Sequence, residues 1–315
     1  MRKNDWLKNV LITILVTVFV VCVNMSLETK AQAANIPHPL PINRIFPDPD
    51  LAERVKETLK KSNVTDVVSQ RELDEVQIFN GNGRTIISID GLQYFTNLKE
   101  LYLSRNHIRD LTPLKDLTNL AILCLDKNRL ENLNGIPSNK LVRLSLEDNE
   151  LTQVDALANL TQLETLFISK NQLKNIDALA NLTNLKTLDL NRNELEDLSP
   201  LARLENLTSL DLANQKCVKE ALVYKPKLVI PNTIKGPDKV LITPSYISDN
   251  GSYTNGQLKW NLPVCKEKVC YTFAQLVRSW ENRGPYLMVW VIQPLYPKKL
   301  ETKKRASFYL CGLTK

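Results

Sequence analysis

Few side chains in this 315-residue chain could do covalent or metal chemistry, and their spacing argues against it. The two histidines, His38 and His107, cannot form a pair at metal-ligand spacing, and neither sits beside a plausible nucleophile. Of the six cysteines, Cys22 lies in an apolar leader, and Cys124, Cys217, Cys265, Cys270 and Cys311 are odd in number and irregularly placed. That is no disulfide framework, although Cys265 and Cys270 could bridge across a strand pair, and the pair lacks the two further ligands that zinc needs. Asp189 and Asp211 could serve as an acid–base pair, but a solvated surface offers no pocket to tune their acidity. A Gly-rich phosphate loop is also missing. These observations predict a non-enzyme without cofactor or metal, whose chemistry is recognition by exposed side chains.

The element that carries those side chains is a repeat. The frame L-x-x-L-x-L-x-x-N occurs at Leu98–Asn106, Leu120–Asn128, Leu141–Asn149, Leu163–Asn171 and Leu185–Asn193, and a sixth copy at Leu207–Gln215 has Gln for Asn. Successive copies advance by 22 residues, except for one step of 21. An imperfect copy precedes them, since Ile86, Ile89 and Leu92 match Ile108, Leu111 and Leu114. A period of this length marks a leucine-rich-repeat solenoid. Leu-x-Leu at period two is a short strand with both leucines inward. The Asn bends the chain and offers its amide to backbone groups of the next turn. Apolar residues three apart, such as Leu111, Leu114 and Leu117, suit a 3₁₀ turn on the outer side. One coil cannot bury its own apolar face, so coils must stack and the stack needs covered ends.

Residues between the inward leucines then point out of the concave sheet. The central column is Tyr102, Cys124, Ser145, Phe167, Asp189 and Asp211, flanked by Glu100, Ile122, Arg143, Thr165 and Thr187 on one side. Ser104, Asp126, Glu147, Ser169 and Asn191 flank it on the other. A rigid exposed ring buries much area at little entropic cost, which makes Tyr102 and Phe167, with Arg143, the expected anchors of a partner. Asp189 and Asp211 complete the candidate partner-binding set.

The ends of the chain set its destination. Arg2, Lys3 and Lys8, the apolar run 10–23 and Ala31-Gln32-Ala33 form the order of a secretory signal peptide, residues 1–33. The run is shorter than the ~20 residues a membrane span needs. No second such run and no wall-sorting pattern follows, so the mature chain is expected to be secreted and to act as a monomer. The net charge of +7 comes from the two ends. Its carboxyl-terminal share, in the 297–315 tail with Lys298, Lys299, Lys303, Lys304 and Arg305, reads as a solvated end rather than a nucleic-acid site. An envelope adhesin held by that tail is the alternative.

Residues 34–77 read as a helical amino-terminal cap, with an amphipathic helix from Leu51 to Leu59 behind Asp50 as N-cap and a second stretch from Gln70 to Glu75. The repeats occupy 78–216. Beyond Gln215 the period ends, and Val240–Ile242, Tyr253, Leu258–Leu262 and Val269–Phe273 alternate between turn signals. Residues 217–296 therefore read as a small antiparallel β domain, a sandwich that would remove the open edge of the solenoid.

Several segments resemble the internalins of Listeria. They are Pro41–Asp48 and Val64–Gln70 in the cap, Asn214–Cys217 at the junction, Pro231–Asp238, Ile247–Tyr253 and Trp260–Pro263 in the β region, and Leu133–Ser138 in the short repeat. The resemblance runs from about Pro41 to Phe273 and is to the small secreted class. It implies an α/β leucine-rich-repeat solenoid with a helical cap and a fused Ig-like β-sandwich. By the same resemblance the chain is a virulence factor that binds host proteins, in the host cytosol if it is released there. An SH3-containing scaffold of cell junctions and a kinase of inflammatory signalling are the implied partners.

Overall fold

The computed structural model describes residues 34–137, 140–276 and 286–296. The signal segment with Cys22, and the basic tail with Cys311, lie outside the described residues.

At the amino end β1 (Leu40–Pro41) pairs with β2 (Val67–Val68), and α1 (Ile42–Ile45) and α2 (Pro49–Thr58) fill the loop between them. The following α3 (Gln70–Asp74) starts on a capping box in which Ser69 and Glu72 satisfy each other's backbone N–H groups. The N-cap of α2 is Asp48 rather than Asp50: its Oδ1 accepts from the Asp50 and Leu51 amides at 3.0 Å. Pro49 takes the first helical position, where its missing N–H costs nothing, and so moves the cap back by two residues. Asp48 also reaches the repeats, since its Oδ2 accepts from the Ile87 and Ser88 amides at 2.8 and 3.0 Å. Beneath it, Phe46 stacks on Phe95, and Phe95 meets Phe79, both at 5.5 Å between ring centres.

Seven parallel strands follow, one per coil: β3 (Ile78–Asn80), β4 (Glu100–Tyr102), β5 (Ile122–Cys124), β6 (Arg143–Ser145), β7 (Thr165–Phe167), β8 (Thr187–Asp189) and β9 (Ser209–Asp211). The leucines of the frame are buried in a continuous core, except Leu210 of the last coil, which is partly exposed. Outer turns at Leu92–Tyr94, Thr112–Leu114, Asp155–Leu157, Asp177–Asn181 and Ser199–Arg203 are 3₁₀, as apolar residues three apart require. The 21-residue coil closes instead through Gly135, at φ 88°, where an added Cβ would come within 2.5 Å of the Leu111 backbone. Only glycine can take that conformation so close to a neighbouring chain.

Each frame Asn is buried and brackets two coils. The Asn171 amide oxygen accepts from the Leu151 N–H at 3.0 Å, and its nitrogen donates to the Leu146 and Ile168 carbonyls at 3.0 and 3.2 Å. Gln215 does the same work, accepting from Leu195 at 3.1 Å and donating to Leu190 at 2.8 Å. The sharp bend itself falls one residue before the amide. Arg105, Lys127, Asp148, Lys170, Arg192 and Asn214 all adopt left-handed φ between 53° and 60°. That conformation is unfavourable for side chains other than glycine, so the bracket must hold it in place.

Past Asn214 the chain leaves the parallel sheet. Eight strands build the carboxyl region: β10 (Gln215–Val218), β11 (Leu222–Val223), β12 (Lys227–Pro231), β13 (Tyr246–Ile247), β14 (Ser252–Thr254), β15 (Gln257–Asn261), β16 (Lys268–Leu276) and β17 (Tyr286–Tyr296). One sheet has the order β10-β17-β16-β13 with β11 also on β17, and the other is β12-β15-β14. Inward residues of the two meet through Trp260 and Tyr271, at 6.2 Å between ring centres. The antiparallel expectation fails in one place, because β17 pairs in parallel with β10 and β11. Their partner lies some 70 residues away in sequence, so alternation could not signal the direction of pairing. Val240–Ile242 forms only an isolated bridge at Leu241, whereas β12 and β17 are strands that the pattern missed.

The edge expectation also changes. The core under the last coil is mostly covered, with Leu207, Leu212 and Cys217 buried and Leu210 partly exposed, and no described strand pairs with the outer side of β9. Turning at Asn214 gives the next backbone segment to β17 instead. The junction is tied by Lys219 to Glu196, by Thr233 to Glu196 at 2.6 Å, and by Lys235 to Asp197 at 3.3 Å. Cys265 and Cys270 are free thiols, not a bridge. Cys217 is also free, and burial pushes it up to about 12, which keeps it a protonated, inert thiol at neutral pH. No helix among the described residues is long and apolar enough to cross a membrane.

Two outcomes are expected. Asn171→Ala should lower stability in urea unfolding by about 2–4 kcal/mol, because each buried group left unpaired costs roughly 1–3 kcal/mol. A loss near zero would mean the bracket is dispensable. Asp48→Ala should cost about 1–2 kcal/mol as a lost cap, and Asp50→Ala clearly less. The reverse order in the same assay would return the cap to Asp50.

Candidate interface on the concave sheet

Strand register decides which side chains share a face. Across β4 to β9 the partners Tyr102, Cys124, Ser145, Phe167, Asp189 and Asp211 stand directly beside one another, and Asn80 of β3 extends their column. A second column holds Ile78, Glu100, Ile122, Arg143, Thr165, Thr187 and Ser209. All five candidate residues, Tyr102, Arg143, Phe167, Asp189 and Asp211, therefore lie on one sheet face. Ile78 was not among them. It is 57% exposed on β3, a strand whose Ile78-Phe79-Asn80 lacks the Leu-x-Leu signature, and only the period counted back from Glu100 could have revealed it.

Chemistry changes along the column. Tyr102 donates its hydroxyl to Glu100 Oε2 at 2.7 Å, and this bond raises the phenol pKa above its ordinary value. Two short side chains follow. Cys124 is half-buried, and burial raises its thiol pKa too. Ser145 is buried and turned aside to Asp126, which also accepts from the Glu147 amide at 2.9 Å. Next comes Phe167, with the Arg143 guanidinium 5.0 Å from its ring centre, a cation–π contact that holds both side chains in place. Three strand spacings of ~4.8 Å put the two rings roughly 14 Å apart, and the short side chains of Cys124 and Ser145 form a saddle between them, along whose edge the Arg143 side chain reaches the Cys124 thiol.

Beyond Phe167 the face turns acidic. Asp189 Oδ1 accepts from the Asn191 amide at 2.9 Å, and Asp211 accepts from Ala213 N–H at 2.9 Å and from the Asn191 side chain at 3.0 Å. Burial, with Asp211 beside it as a lesser cause, raises the Asp189 carboxyl above the usual range. Among the described residues no group of three or more His, Cys, Asp or Glu side chains is placed to hold a metal ion.

The family model described as a bacterial adhesion/invasion protein N terminal matches residues 29–74, leucine-rich repeats match 96–138, 139–181 and 183–221, and the region adjacent to such repeats matches 240–296. Over 284 residues the chain is 50% identical to internalin C of Listeria monocytogenes serotype 1/2a, covering 90% of this chain and 96% of that protein. Identity to internalin H of the same species is 38% over 107 residues, 34% of this chain and 20% of the other. The structure of a secreted internalin-like protein from L. monocytogenes superposes with a TM-score of 0.62 at 18% identity, over 84% of this chain and all of that one, which shows a common fold. The chain belongs to the internalin family, leucine-rich-repeat proteins that bind other proteins and are not enzymes.

Proposed function

We propose that this internalin is secreted and binds a host protein on the concave face of its repeats. In that reading the helices of residues 34–77 are a cap, and the β strands after Asn214 form an Ig-like module that stiffens the other end. The observation that carries the reading is the pairing of Arg143 with Phe167 beside the saddle over Cys124 and Ser145. A rigid strand presents a planar cation and a ring already locked together, so little side-chain entropy is lost when a partner covers them. Tyr102 and Ile122 frame the other side of the saddle. An apolar knob seated there would contact both rings.

The candidates to test first are an SH3-containing junction scaffold and an inflammatory kinase, met in the host cytosol. Ser145 points into Asp126 and offers no ring at the centre of the face, so the aromatic contact falls to Phe167 and Tyr102. Each of these two should cost roughly 1–3 kcal/mol of binding on truncation to alanine, as central interface aromatics do.

The test is affinity capture from human epithelial lysate, followed by titration of the purified partner. Phe167→Ala and Tyr102→Ala should each weaken binding about tenfold or more, a loss of ~1.4 kcal/mol or above. A captured partner whose affinity is unchanged by both would move the interface off this face. Retention of the protein on the bacterial envelope, abolished by removing residues 297–315, would favour an adhesin held by its basic tail.

A further inference from the structure

Asp189 and Asp211 are a contradiction inside a well-satisfied surface. They stand in register on β8 and β9, the one place in the column where two like charges face each other. Side-by-side like charges on neighbouring strands are destabilising. Elsewhere on the same face Glu147 is neutralised by Lys170 at 2.5 Å, while Asp126 is held by neutral donors alone, two hydroxyls and an amide. Asp189 and Asp211 receive only neutral donors, and neither takes part in an ion pair among the described residues. Between them the side-chain oxygen of Asn191 is shut off from solvent and meets no donor, while its nitrogen is spent on Asp211. The pair adjoins Phe167, one strand away, so charge and ring form one continuous surface.

We infer that the β7–β9 end of the concave face receives an arginine of the bound protein, its guanidinium lying across Asp189 and Asp211 with the stem along the Phe167 ring. The inference deepens the concave-face reading and rests on it. Guanidinium fits better than ammonium because its planar fork of five N–H groups can serve two carboxylates ~4.8 Å apart at once. Its apolar stem and weaker hydration suit a site bordered by an aromatic ring. The occupant is therefore a protein surface in which an arginine sits beside an apolar knob, the knob over the Cys124–Ser145 saddle and the arginine toward β9. The raised pKa of Asp189, pushed up first by burial and then by Asp211 beside it, fits this picture.

Free-state cost and binding gain should separate experimentally. For a carboxyl raised in the folded state, the native form binds more protons, so stability falls as pH rises from the ordinary aspartate value through the folded one. Asp189→Asn should therefore melt higher than the parent at pH 7, with the difference closing below about pH 3, where both states of Asp189 are protonated.

The binding test uses the full chain as bait for random twelve-residue peptides displayed on phage, beside Asp189→Asn/Asp211→Asn and Phe167→Ala baits. Arginine should be enriched at least threefold on the parent relative to the double variant. Replacing that arginine by the neutral isostere citrulline in a selected peptide should weaken binding at least tenfold on the parent and not on the double variant. Peptides lost on Phe167→Ala but showing no arginine preference would overturn the arginine site and leave the concave face as the interface. Peptides indifferent to both variants, or an empty selection on every bait, would overturn both readings.

Discussion

A buried amide column runs the length of the solenoid, and everything else is hung from it. Each coil must turn sharply out of its strand, which strips backbone N–H and C=O groups of their ladder partners inside an apolar core. Leaving one such group unpaired costs about as much as a lost hydrogen bond, and every coil exposes several. The Asn at each turn closes them with one acceptor and two donors, as Asn128 does for Ile108, Leu103 and Leu125. It also anchors a left-handed residue just before it, usually one with a long side chain. The geometry tolerates a longer arm where the next coil is not a repeat, because Gln215 makes the equivalent bonds.

Because the amides fix the register, the outward side chains are released from the duty of setting it. That is why one column can hold a tyrosine, a thiol, a hydroxyl, a phenylalanine and two carboxylates without disturbing the fold. The leucines beneath are all but invariant, since stacking them is what buries a face no single coil could bury alone. The outward columns thus ride on a scaffold whose core is built elsewhere, and Phe167 and Asp211 stand outside the leucine packing beneath them.

The two ends solve the same exposure problem differently. At the start, one carboxylate, Asp48, caps α2 and bonds the first coil, and three phenylalanines fill the space between helices and repeats. At the finish, Leu212 and Cys217 are buried over the core, while no described strand pairs with the outer edge of β9. That edge is only three residues long and bears Asp211, two features that discourage another chain from adding to it.

The sequence by itself determined the repeat, its phase and the outward columns. A 22-residue period and a two-residue alternation leave one way to place leucines inside, so Tyr102, Arg143, Phe167, Asp189 and Asp211 were legible as one surface before any coordinates. Long-range relations were not legible. Nothing local in Gln215–Val218 says that it pairs in parallel with Val289–Ile292, since two distant segments meet only when the chain is folded. The cap at Asp48 rather than Asp50, the glycine closure of the short coil, and the Arg143 guanidinium over the Phe167 ring were likewise decided in three dimensions. Periodicity assigns a side chain to a face, whereas its partners depend on which neighbouring coil or helix arrives beside it, and only the tertiary structure sets that.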